Sequence, residues 1–199
     1  SEAPGAKVYQ GSITRLRRVA DASPVQIEDG KRDGKGTSSQ KGNSARLFSG
    51  ELPADAVVAF TDGACKGNPG PAGAGARVEF PGGRWVEAAR SLGHGTNNVG
   101  ELTALGVALE LIEEAGTDAA VPIVLVTDSQ YAIGVLVKGW KAKKNTELIV
   151  GLRKHLERWP TARLKWVKGH AGHAGNTRAD ELAVAGSAGQ DWVRWSKDA

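Results

Sequence analysis

From Pro53 onward the apolar positions switch between a strand-like and a helical period, and the switches mark the elements. AVVAFTD is a short apolar run ending in an acid, as expected of a buried strand whose carboxyl end opens onto a site. GARVEF and GRWVEAARSL flank PGG and read as a hairpin. In NNVGELTALGVALELIEEAG the spacing lengthens: Leu102, Leu105, Leu109 and Ile112 recur at helical intervals, and Gly116 stops the run. VPIVLVTDSQYAIGVLVKGW is a second apolar strand that ends in an acid and passes at once into a helical stretch. TELIVGLRKHLERW puts Leu148, Leu152 and Leu156 on one helix face, RLKWVKGH reads as a final strand, and a last helix starts at about Asn176. The order β-β-β-α-β-α-α-β-α predicts an α/β domain with a mixed sheet, antiparallel at first and parallel through crossovers later.

Ahead of this domain the pattern is weaker. KVYQGSITRLRRV has enough apolar and β-branched residues for a short strand or two, so residues 1–27 are expected to form an accessory segment or domain fragment. The polar, glycine-rich text that follows is linker chemistry, and a linker is expected over 28–50. The compact domain is then 51–190, with a tail over 191–199.

Charge sharpens this division. Residues 1–50 hold 9 Lys and Arg against 5 Asp and Glu, which leaves 17 of each sign in the rest of the chain. Within that neutral remainder, Lys138 to Lys168 gathers ten basic residues against Glu147 and Glu157. Such a stripe suits a polyanion, although a solvated basic face with no partner would look the same. One cysteine, Cys65, forms no internal disulfide, so a reducing space such as the cytoplasm is the expectation. No apolar run is long enough to cross a bilayer, nothing at the start reads as a secretory signal, and the absence of methionine suggests a processed or trimmed chain.

Two acids stand at strand ends, Asp62 in FTDGAC and Asp128 in LVTDSQY. Ligands of open α/β sheets bind beyond the carboxyl ends of strands, so these two can face one crevice, but an Asp ahead of a helix also caps it. Glu101 fits a capping box with Asn98 as N-cap, and Asp180 in NTRADELA reads equally as a first-turn carboxylate. If all four reach one crevice they repel one another unless cations sit among them, and an oxygen-only cluster suits Mg²⁺ or Mn²⁺. His170 and His173 are half of a zinc site without the other half; near a phosphate, a mobile histidine can shuttle a proton instead. His155 reads as an ordinary surface side chain.

Together, TDGACKGNPGPAG, TNNVGELTAL, VTDSQY and VKGHAGHAGNTRADELA resemble, in order and at compatible spacing, the type 1 ribonuclease H family, over about residues 54–187. The resemblance implies a five-stranded mixed sheet flanked by helices. It also implies hydrolysis of the RNA strand of an RNA/DNA hybrid, leaving 3′-hydroxyl and 5′-phosphate ends, with two Mg²⁺ held by Asp62, Glu101, Asp128 and Asp180. His170 matches the family's catalytic histidine, and His173 a supporting position. Asn68, Asn97, Asn98 and Gln130 match positions that reach the hybrid's minor groove, where 2′-hydroxyls distinguish RNA from DNA. Thr96 and Asn145 resemble a pocket for a phosphate of the DNA strand, with His94 standing where several relatives have arginine; Trp140 is suited either to stack on a sugar of the DNA strand or, as a lone aromatic, to anchor packing.

Two departures follow from the same comparison. Asp128 and His170 are 42 positions apart, short for members with a separate basic helix, so only Lys138, Lys141, Lys143 and Lys144 remain of that protrusion. The N-terminal segment offers only Tyr9 and Phe48 as aromatics and is not assigned the hybrid-binding role that some relatives give theirs. The expectation is a monomer that binds an RNA/DNA hybrid, with no membrane and no evident protein partner.

Overall fold

The computed structural model describes residues 7–9, 44–169 and 173–196. Its centre is a meander of β2 (Val57–Cys65), β3 (Gly70–Glu79) and β4 (Trp85–Gly95), antiparallel throughout, with the PGG hairpin closed by a bond from the Phe80 amide to the Arg84 carbonyl at 2.9 Å. β5 (Ile123–Thr127) then pairs parallel with β2, and β6 (Ala162–Trp166) parallel with β5. Those five strands are the expected ones.

The sheet nevertheless has seven strands rather than five, in the order β1-β7-β4-β3-β2-β5-β6. The expected tail supplies β7 (Trp192–Trp195), antiparallel to β4, and β1 (Lys7–Tyr9) pairs with β7 in turn. The last part of the expected linker is also structured. Ser44–Arg46 forms a 3₁₀ turn, Leu47 bridges Leu164, and the Phe48 amide bonds to the Leu164 carbonyl at 2.8 Å. The Arg46 guanidinium spans the carbonyls of Leu156, Trp159 and Ala162 at 3.0–3.1 Å. An open β6 edge would invite further strand pairing, and this short segment covers it.

Both faces of the sheet are buried, which explains the unbroken apolar run in β2. Val57 and Ala59 face a core shared with α1 (Asn97–Glu114), α2 (Gln130–Leu136) and α3 (Thr146–Glu157), whereas Val58 and Phe60 face α4 (Ala174–Ser187). α1 buries Leu102, Leu105, Leu109 and Ile112 as its spacing predicts, and Ala104, Val107, Ala108 and Leu111 besides. A helix apolar on nearly every side belongs inside the molecule. On α3, Leu152 and Leu156 are buried with Leu148 packed at their margin. No helix among the described residues is long and apolar enough to cross a membrane.

Candidate active site

The parallel pairing of β2 with β5 ends at Phe60↔Val126, and two residues beyond it stand Asp62, within β2, and Asp128, just past the end of β5. The Thr61 hydroxyl, donating to the Val126 carbonyl at 3.1 Å, ties the two strands together at that point. Glu101 arrives from α1 because the helix start lies almost on top of β2. A Cβ on Gly63 would fall 2.2 Å from the Glu101 amide, and one on Gly100 would fall 2.7 Å from the Gly73 carbonyl oxygen. Only glycines permit that approach.

Asp62, Glu101 and Asp128 consequently each offer an oxygen within 4.8 Å of the others, the first two from buried side chains. Asp62 Oδ1 accepts from the Gly63 amide at 2.7 Å, and Glu101 Oε1 from the Asn97 side-chain amide at 3.2 Å. Glu101 Oε2 is buried without a hydrogen-bond partner. Burial first, and then the charges of Asp62 and Asp128, push the Glu101 carboxyl up to about 9, against the downward pull of the Asn97 bond. Three hard oxygen donors, of which Glu101 is both held neutral by burial and its neighbours and left with an orphaned oxygen, fit a divalent cation of the Mg²⁺ class.

The fourth acid is placed differently. Asp180 lies part-buried on α4, outside that group of three, and His170 falls outside the described residues. His173 is the N-cap residue of α4 but makes no side-chain cap bond, and the helix starts at Ala174, two residues ahead of the expected Asn176.

The capping alternatives are overturned. Thr96, not Asn98, caps α1, its hydroxyl accepting from the Val99 amide at 3.4 Å; Asn98 is an exposed second residue of that helix. Glu101 is five residues past the cap, too far for a capping box. Ser129 caps α2 by accepting from the Ala132 amide at 3.1 Å, which relieves Asp128 of that role, and Gln130 is the exposed first residue of the helix.

Asn68 and Asn97 are joined, the Asn68 Oδ1 accepting the Asn97 main-chain N–H at 3.0 Å and so satisfying one of the orphan donors at the start of α1. Asn145 precedes α3 in the left-handed region, φ 60° and ψ 26°, which asparagine tolerates better than most residues. Trp140 is half exposed, yet its ring rests against Gly134, where a Cβ would come within 2.1 Å of it. It is both anchored and available.

His155 is not a surface side chain: it is mostly covered and lies 3.5 Å from Glu113. Sequence reasoning also missed Ser129, the glycine pair Gly63 and Gly100, and Trp166, whose indole Nε1–H donates to the Asp128 carbonyl at 3.0 Å. The glycines were readable in TDGAC and NNVGEL as interruptions of a strand and a helix; the indole contact, 38 positions apart, had no local signal.

The family profile described as RNase H matches residues 54–188. Ribonuclease H of Roseobacter denitrificans is 44% identical over 153 residues, covering 66% of this chain and 95% of that protein. Ribonuclease H of Bradyrhizobium diazoefficiens is 42% identical over 153 residues, covering 68% and 91%. Among solved structures, RNase H1 from the halophilic archaeon Halobacterium salinarum superposes with a TM-score of 0.58 at 33% identity, over 67% of this chain and 98% of that one. LC11-RNase H1, isolated from compost and solved in complex with an RNA/DNA hybrid, gives 0.56 at 28% identity, over 67% and 97%.

Proposed function

Because the chain belongs to the ribonuclease H family, we propose that it is a metal-dependent endoribonuclease that hydrolyses the RNA strand of RNA/DNA hybrids, leaving 3′-hydroxyl and 5′-phosphate ends. The observation that carries this reading is the meeting of Asp62, Glu101 and Asp128 at the strand ends, with a buried carboxylate oxygen left over. These three would hold divalent metal, Mg²⁺ with Mn²⁺ as a substitute, and Asp180 would complete a two-ion site from α4. When bound, such ions supply a water nucleophile at neutral pH and offset charge on the leaving oxygen.

The chain's own residues do the rest. Asn68, Asn97, Asn98 and Gln130 gather near the start of α1 and of α2, where amides that both donate and accept can read 2′-hydroxyls in a minor groove. The Asn68–Asn97 bond supports this role by holding the β2–β3 loop against the helix start. The Thr96 hydroxyl uses a lone pair for its cap, and its proton can go to a phosphate oxygen, with Asn145 as the second donor of that pocket. The exposed part of Trp140 would lie on a sugar, with Lys138, Lys141, Lys143 and Lys144 on flanking phosphates. His170 would move a proton at the scissile phosphate. The protein is taken to act as a monomer in the cytoplasm.

The test is a cleavage assay on labelled RNA/DNA hybrid, duplex RNA, duplex DNA and single strands with Mg²⁺, repeated with chelator. Cutting confined to the RNA of the hybrid and lost with chelator is expected; cutting of duplex DNA, or turnover in chelator, would overturn the proposal.

A further inference from the structure

We propose that Trp166 is a positioning residue for the metal site, its indole N–H holding the Asp128 peptide where the last backbone link between β5 and β6 has already ended. The inference rests on the metal-binding role given to Asp128 above.

Thr127↔Trp166 is the final pair of the β5–β6 ladder, and the Val167 amide makes the last main-chain bond, to the Thr127 carbonyl at 3.0 Å. The next carbonyl, that of Asp128, has passed beyond the strand. Trp166 Nε1–H reaches it at 3.0 Å, so a side chain extends the ladder by one residue. On the other side of the same residue, Gly169 passes so close that a Cβ there would lie 2.5 Å from Asp128 Oδ2. The Ser129 amide, the N–H end of that same peptide unit, donates to the Thr127 hydroxyl at 3.1 Å. Asp128 is thus held from its carbonyl, its carboxylate flank and its C-terminal neighbour, and Trp166 supplies the first of these from β6.

Burial does not account for an indole at this position. The residue is 43% exposed, so much of its apolar surface stays in water, and a smaller side chain would serve a sheet edge as well. The polar end of the ring is the part that makes a specific bond. Groups that orient a metal ligand without touching the metal commonly govern affinity by tenfold or more.

Three measurements on the full chain test the proposal. In the ¹⁵N spectrum of the wild-type protein, the Trp166 indole proton should exchange with solvent slowly despite the exposed ring, and its resonance should shift as Mg²⁺ is added. Calorimetric titration of the metal-free protein with Mg²⁺ should show roughly tenfold weaker binding for both Trp166→Phe and Trp166→Ala, because each lacks the N–H. In hybrid cleavage, the same variants should need more Mg²⁺ for half-maximal rate while KM for hybrid at saturating Mg²⁺ stays unchanged. Wild-type Mg²⁺ affinity in Trp166→Phe would overturn the proposal, whatever Trp166→Ala does, and so would free indole exchange in the wild type or failure of the wild type to bind Mg²⁺. If the wild type binds Mg²⁺ but leaves hybrid intact, the proposed function fails and the titration still decides the role of Trp166.

Discussion

Replacing Glu101 by Gln should make the metal-free protein more stable, and the size of the effect follows from the carboxyl's position. In the folded chain it titrates at about 9, because it is buried and faces Asp62 and Asp128, whereas an unfolded glutamate titrates at 4.5. Between those two values the folded state holds a proton that the unfolded state has released, so folding becomes less favourable as pH rises across the window. The full contribution is present below 4.5, it declines with increasing pH, and above about 9 the penalty is constant. At pH 7.5 the gap is about three pH units at about 1.4 kcal/mol each, or ~4 kcal/mol as an upper figure. Glutamine removes it while keeping the shape and an oxygen for the Asn97 bond, and its amide can donate to the acids that the carboxylate repelled.

Urea denaturation in chelator from pH 5.5 to 8.5 is the assay. Wild-type stability should fall steeply over this range and that of Glu101→Gln much less, so the curves separate with pH; taking their difference cancels every other titrating group. Mg²⁺ should then raise the wild-type midpoint at pH 8.5 and leave the variant nearly unmoved, since a ligand stabilises only what it binds. A pH-independent difference between the two proteins, or a variant less stable than wild type at pH 8.5, would refute the reasoning.

Asp128→Asn should abolish Mg²⁺-dependent cleavage while leaving hybrid affinity in a gel-shift titration within about threefold, because it damages the metal site more than the basic grip. Gly100→Ala should lower the denaturation midpoint by the equivalent of about 2 kcal/mol or more and weaken Mg²⁺ binding in the same protein, since its Cβ would force α1 off Gly73 and Gly63. Arg46→Ala should cost about 1–2 kcal/mol by removing three bonds to carbonyls at the end of α3 and the start of β6, read by the same denaturation. Glu87 is buried, and bonds from Arg178 and Arg77 outweigh that burial and hold its carboxyl below 4.5. Its contribution should therefore be complete above that value and lost as pH falls below it, and Glu87→Gln should flatten the acid limb of the stability curve.

The elements that the sequence predicts correctly are those whose signal is local. Leu102, Leu105, Leu109 and Ile112 mark α1 because one helix face repeats, and PGG marks a hairpin because only turn chemistry suits it. The errors arise where a distant partner decides. WVRW is too short to declare itself a strand, and it becomes one because the β4 edge offers Val86 to Ala89 as its ladder. The cap of α1 was misread by two residues because Asn98 and Thr96 are both good caps, and the choice was made by where the chain turns off β4. At the site, all four acids stood out in the sequence; Asp62, Glu101 and Asp128 meet because their strand and helix ends meet, and Asp180 lies outside that group on α4.

The site and the core are built by the same contact, and that ties catalysis to stability. α1 has to press against β2 to bury its leucines, and the glycines at 63 and 100 that allow it also bring Glu101 beside Asp62. A fold optimised for stability alone would keep the close packing and replace the acid with a neutral residue, since nothing in the core requires a carboxylate there. The chain instead retains an oxygen with no partner inside this closely packed junction. Under the proposed metal-binding role, repulsion among the three acids is the source of metal affinity: a divalent ion bound between them would offset what folding loses by bringing them together, so metal-free instability and metal-bound activity should rise and fall together across substitutions at these three positions.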